Sequence, residues 1–149
     1  MDISQLLKSL NDHHVKYIVI GASAMPAHGY VRVTGDIDIL IEPTRENARH
    51  TLDALAAIGY DVADLTVEVV LTKKILFRQY ILATDVHPSV KGVTFKTVWK
   101  NKKRDRIEGV PVYIASLDDL IKMKSAANRP KDREDLKALR AIKKLKRKK

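Results

Sequence analysis

Two aspartates, Asp36 and Asp38, stand in the run GDIDILIE, separated by Ile37 and followed by Ile39. On an extended strand this alternation sends both carboxylates to one face and both isoleucines to the other. No Lys or Arg lies between them, so the two negative charges repel unless a bound divalent cation relieves them. Upstream, Gly21-Ala22-Ser23 forms a small-residue turn before a short segment, GASAMPAHG. Small residues let backbone amides approach a phosphate closely, and a helix beginning there favours an anion. The pair of features points to a site for a metal and a phosphate, with the turn for the phosphate and the aspartates for the metal.

The elements that must position these groups follow from periodicity. Ile3, Leu6, Leu7 and Leu10 recur at helical spacing behind Asp2 as N-cap, predicting a first helix to about His13. Tyr17–Ile20 reads as a short apolar strand ended by Gly21. Ala22–His28 reads as a short helix, with Pro26 tolerable only in its first turn and Gly29 as its stop. Val31–Thr34 is extended, and Asp36–Ile41 is a strand buried on its isoleucine face. Pro43 stops that strand, and Thr44 caps a helix from about Arg45 to Ile58 that Gly59 closes.

Residues 61–72 fit either a strand or a short helix near Leu65–Leu71. Ile75–Phe77 and Tyr80–His87 read as paired strands, and the second puts Asp85 and His87 on one face with Val86 on the other. Phe95–Lys100 is a short helix or strand. The basic run KNKKRDR after it reads as exposed. Val110–Ala115 is a strand whose Pro111 suggests a sheet edge. Ser116 and Asp119 open a helix over Leu117–Ala127. Asn128-Arg129-Pro130 interrupts, and a last helix from about Asp132 carries Leu136, Leu139, Ile142 and Leu145 along one side before a fraying basic tail. The order predicts an α+β fold: a small mixed sheet with helices packed on one side, in a single domain over residues 1–149 whose basic C-terminal helix and tail begin at about 131.

Composition narrows the function classes. The chain has 149 residues and no cysteine, which excludes disulfides and thiolate zinc sites. No apolar run approaches the roughly 20 residues of a membrane span. The segment MDISQLLKSL does not read as a signal peptide, so the expectation is a cytoplasmic protein. The net charge of +10 is unevenly spread: residues 1–99 hold 10 Lys/Arg and 11 Asp/Glu, and residues 100–149 hold 18 and 7. The excess suits a polyanionic partner such as RNA or a nucleotide phosphate, or it is a solvated basic helix and tail.

Strand, small turn, short helix, then Asp-x-Asp on the next strand resembles the nucleotidyltransferase superfamily of DNA polymerase beta type. The phrases GASAMPAHG, TGDIDILI, TDVHPSVKG and GVPVYIASLDDLIKMKSAANRPKDREDL extend the likeness to small bacterial nucleotidyltransferase-like proteins related to the AbiEii toxin group. The resemblance implies a polymerase-beta-palm-like mixed sheet and a Mg²⁺-dependent transfer of an NMP from an NTP, ATP among them, to a hydroxyl acceptor, with two ions. It implies that Asp36, Asp38 and Asp85 hold the metals and that Asp85 activates the acceptor. Gly21, Ala22, Ser23, Lys124 and Arg129 fall at the positions that contact the phosphates, with Arg32, Thr34, His87 and Asp132 as lesser members of the site. Ala22 departs from the family's usual Gly or Ser. The implied partners are the NTP, an RNA or tRNA acceptor on the basic C-terminal region, and an antitoxin-type protein. A silent nucleotide- or RNA-binding relative and a toxin-like subunit are the competing readings.

Overall fold

The computed structural model describes residues 2–30 and 35–147. Helix α1, Ile3–Asp12, starts where expected, because Asp2 accepts from the Gln5 amide while the Gln5 side chain accepts from the Asp2 amide. Its Leu6, Leu7 and Leu10 are wholly buried. Strands β1, Tyr17–Ile20, and β2, Asp36–Ile41, pair antiparallel, with Ile20 opposite Asp38. Helix α2, Arg45–Ala57, is capped by Thr44. Its buried Asn47 accepts from the Lys16 amide and donates to the Lys16 and Glu42 carbonyls, which pins the outer ends of β1 and β2 together.

The ambiguous stretch resolves into helix α3, Val67–Thr72, capped by Thr66. Strand β3, Ile75–Phe77, follows, then β4, Ala83–His87, helix α4, Phe95–Asn101, strands β5, Lys103–Ile107, and β6, Val110–Ile114, and helices α5, Leu117–Ala127, and α6, Pro130–Arg147. The six strands form one sheet in the order β3-β4-β2-β1-β6-β5. Neighbours pair antiparallel except β2 with β4 and β1 with β6, which are parallel. The mixed α+β sheet is thus as anticipated.

Several local expectations are corrected. Ala22–His28 is two 3₁₀ turns, Gly21–Ala24 and Pro26–His28, instead of a helix. Pro26 has no N–H to continue a helical ladder, and the Gly29 backbone, at φ 95°, closes the second turn. The basic run forms β5, an edge strand exposed along most of its length. That places β6 inside the sheet, not at its edge. Pro111 is accommodated because β6 meets β1 only at Ile114, beyond the proline. Strand β4 begins at Ala83 instead of Tyr80, since residues 78–82 form the β3–β4 connection. Helix α6 begins at Pro130, where a proline suits a first turn.

Both faces of the central strands are buried. All four β1 residues are buried, and so are Ile37 and Ile39 on one face of β2 and Leu40 on the other. Each such aliphatic side chain contributes roughly 1.5–3 kcal/mol by leaving water. The extended segment expected at Val31–Thr34 lies outside the described residues. Among the described residues no helix is long and apolar enough to cross a membrane.

Candidate functional site

The parallel register of β2 and β4 sets Asp38 directly beside Asp85 and Leu40 beside His87. Ile37, Ile39 and Val86 are buried on the opposite face, so burial of these apolar residues fixes which way the acids point. His87 Nε2 lies 2.7 Å from Asp38 Oδ1. One ligand atom from each of Asp38, Asp85 and His87 falls within 4.8 Å of the others. Two carboxylates and an imidazole at this spacing offer the oxygen and nitrogen donors that suit a divalent cation. Asp36, two residues before Asp38, lines the same cleft but stands apart from that three-residue group.

The end of β1 brings the turn against this group. Gly21 has φ 69°, a conformation that favours glycine, and a Cβ there would stand 2.7 Å from Asp38 Oδ2. The turn therefore closes over Asp38 at a distance no side chain permits. Gly21 and Ala22 border the cleft. Ser23 does not line it, and its hydroxyl donates to the Asp36 carbonyl at 3.2 Å, tying the turn to the start of β2.

Helix α5 and the start of α6 form the facing wall. Lys124 Nζ lies 3.0 Å from Asp135 Oδ2 and 3.2 Å from Asp132 Oδ1. Arg129 reaches both Asp132 oxygens, through Nε at 2.7 Å and Nη2 at 3.1 Å, and its backbone amide donates to Asp132 as well. Burial pushes the Asp132 carboxyl up, but bonds from Arg129 and Lys124 outweigh it and bring it down to about 2. Asp132 is 1% exposed and sits behind the two cations, whereas Lys124, Arg129, Lys131 and Asp135 line the cleft. Tyr30 donates its hydroxyl to Asp135, so the network also ties in the segment after the second 3₁₀ turn.

The cleft encloses about 380 Å³ and gathers Asp36, Asp38, Asp85 and His87 with Gly21, Ala22, Lys124 and Arg129. Arg32 and Thr34 lie outside the described residues. His28 is not part of this group: it is buried in the core, and its ring nitrogen donates to the Ala115 carbonyl.

Sequence reading assigned no role to the cleft residues on and beside β3, Lys74, Leu76 and Arg78. Arg78 Nη1 donates to Asp85 Oδ1 at 2.7 Å, and this bond holds the guanidinium even more firmly protonated than usual. The signal was their alternation with Ile75 and Phe77, combined with the β3–β4 pairing that sets Leu76 opposite Asp85. Asp135, the last residue of the Arg-x-Lys-Asp-x-x-Asp segment, carried no expected role, and it is the second acid that holds Lys124.

Comparison with known proteins gives the family and the fold. The family model described as "Nucleotidyltransferase of unknown function (DUF6036)" matches residues 1–148. A search of curated proteins gives no significant sequence match. Among solved structures, the lincomycin-bound lincosamide antibiotic adenylyltransferase LnuA superposes with a TM-score of 0.63 at 16% identity, over 95% of this chain and 98% of that one. ANT(2'')-Ia in complex with adenylyl-2''-tobramycin gives 0.61 at 16% identity, over 92% and 84%. The solution structure of the antibiotic-resistance factor ANT(2'')-Ia gives 0.59 at 15%, over 97% and 90%. At such identities these likenesses speak to the fold alone.

Proposed function

The chain belongs to the nucleotidyltransferase family DUF6036, and from that membership we propose that the β2–β4 cleft transfers an NMP from an NTP to a hydroxyl acceptor. The observation that carries the reading is the pairing of Asp38 with Asp85 across the parallel strands, closed on one side by Gly21 and faced by Lys124 and Arg129.

The residues present fit a divalent metal. Asp38, Asp85 and His87 converge with hard oxygen and borderline nitrogen donors, and Gly21 sets no side chain against Asp38. Asp38 and Asp85 would hold it, with Asp36 on the same strand, and Mg²⁺ in two sites is the expected complement. When bound, such ions supply charge neutralisation for the transferred phosphoryl group and its leaving oxygen. The protein's own groups do the rest. Gly21 and Ala22, having almost no side chain, let backbone amides meet the donor's phosphates. Lys124 and Arg129 set positive charge where the pyrophosphate departs, and Asp132 and Asp135 hold Lys124 in place. Asp85 accepts the proton of the attacking hydroxyl. Ser23 serves the site by holding the turn to β2.

ATP is the first donor to test, because the structural neighbours are named as an adenylyltransferase and as a complex with an adenylylated product. An NTP donor and a chain without cysteine suit the cytoplasm. Labelled NTPs incubated with Mg²⁺ and a panel of hydroxyl acceptors should give transfer by the wild type and none by Asp38→Ala. Equal labelling by both proteins would remove the function from this cleft, and nucleotide binding without turnover would leave a binding module.

A further inference from the structure

The cleft extends past the aspartates onto the edge strand β3. Ile75 and Phe77 pack on the core, so Lys74, Leu76 and Arg78 turn the other way, and all three line the cleft. Leu76 stands opposite Asp85 and is 50% exposed. Arg78 bonds Asp85 with its own side chain half exposed. Lys74 is exposed and has no ion-pair partner among the described residues. The strand thus presents a cation, an apolar platform and a second cation next to the carboxylate that faces the attacking hydroxyl.

The sheet order separates this strip from the phosphate side. Gly21 follows β1, and Lys124 and Arg129 come from the α5–α6 wall, whereas β3 lies beyond β4 at the opposite edge. Resting on the reading of Asp38 and Asp85 as the transfer centre, we propose that β3 is the acceptor subsite and that it selects an anionic acceptor, a hydroxyl compound bearing a phosphate near the reacting hydroxyl. That chemistry belongs to the 3′ end of an RNA and to a free nucleotide. Leu76 offers a flat apolar contact to a base or ribose, and Lys74 and Arg78 flank it with charge for the phosphate.

Arg78 is half exposed but Asp85 is buried, so the guanidinium can leave the carboxylate only when another cation takes its place there. Once Asp85 is engaged by a cation, the Arg78 fork is available to grip a phosphate through two bonds. A polyamine acceptor would instead set its ammonium groups against two fixed cations, with Asp36, Asp38 and Asp85 already committed to metal. The step balances: the acceptor oxygen bonds to the α-phosphorus as the bond from that phosphorus to the bridging oxygen breaks. Pyrophosphate leaves with the bonding pair, and the hydroxyl proton passes to Asp85 and then to water.

The test uses the full chain with Mg²⁺ and a non-hydrolysable ATP analogue. Calorimetry measures the analogue, and fluorescence anisotropy measures a short labelled single-stranded RNA and a labelled mononucleotide, with tobramycin as the polycationic competitor. Lys74→Glu is expected to weaken acceptor binding about tenfold or more, the loss of one charge-assisted contact, whereas Lys74→Arg restores it and analogue affinity stays within about twofold. A loss confined to the RNA assigns the subsite to a polymer end, and an equal loss for the mononucleotide assigns it to a free nucleotide. Acceptor binding indifferent to Lys74→Glu, or displacement by tobramycin at micromolar concentration, overturns the proposal while leaving the transfer centre standing. Failure of the wild type to bind the analogue instead brings down the reading of the centre itself.

Discussion

His87 Nε2 and Asp38 Oδ1 approach to 2.7 Å across the parallel β2–β4 pair, two strand positions that chain order separates by 49 residues. The contact orients the carboxylate that the turn at Gly21 closes on. Replacing His87 with Ala should weaken divalent-ion affinity by about 10–100-fold, as removal of a ligand or its orienting neighbour does. Calorimetry with Mn²⁺ on the NTP-free protein measures this, and Asp38→Ala should abolish the heat altogether. Unchanged affinity in both variants would move the metal elsewhere.

Gly21→Ala places a methyl group 2.7 Å from Asp38 Oδ2 in a left-handed backbone. The strain alone costs roughly 1–2 kcal/mol, and relief requires either the turn or Asp38 to move. The expected result is a Tm a few degrees lower with a much larger loss of metal affinity. A variant that binds metal normally would show that the turn does not constrain Asp38.

The Asp132 carboxyl, held at about 2 by Arg129 and Lys124 despite burial, lies below its ordinary 3.8. A lowered folded-state pKa stabilises the protein above the unfolded value, and that stabilisation disappears as pH falls from about 4 to about 2. It amounts to on the order of 2 kcal/mol. Asp132→Asn should therefore lose stability at neutral pH and flatten the acid limb over that interval, read by urea unfolding as a function of pH. Identical acid limbs for the two proteins would contradict the pairing.

Ile39 is fully buried on the face of β2 opposite the acids. Ile39→Ala leaves a cavity and should cost about 2–5 kcal/mol, seen as a lower urea midpoint with an unchanged slope. The same variant should retain the metal-dependent stabilisation of the folded fraction, since the carboxylates stay on the other face.

Much of this architecture is legible in the chain because its signals are local. The Asp2 and Thr44 caps, the alternation in DIDILI and the glycine stops each act within a few residues. The Asp85–His87 face was readable for the same reason. What escaped was settled by partners distant in sequence. The run KRDRI has no apolar alternation and becomes a strand only because β6 offers it an edge. Arg78 gains significance only when the β3–β4 pairing carries it back to Asp85. The lysine of α5 was recognisable by its place in a motif, but its clasp by two aspartates depends on how α6 packs against α5.

The parallel pairing of β2 with β4 has a kinetic meaning as well. Parallel neighbours cannot be joined by a tight hairpin, and the chain between β2 and β4, which carries α2, α3 and β3, must loop back before Asp38 and Asp85 meet. Closing so long a loop is slow relative to forming either strand's local contacts. Ion binding therefore reports on the β2–β4 pairing: a chain with only β1 and β2 paired holds Asp38 without Asp85 and His87, so cation uptake during refolding marks the moment β4 joins β2.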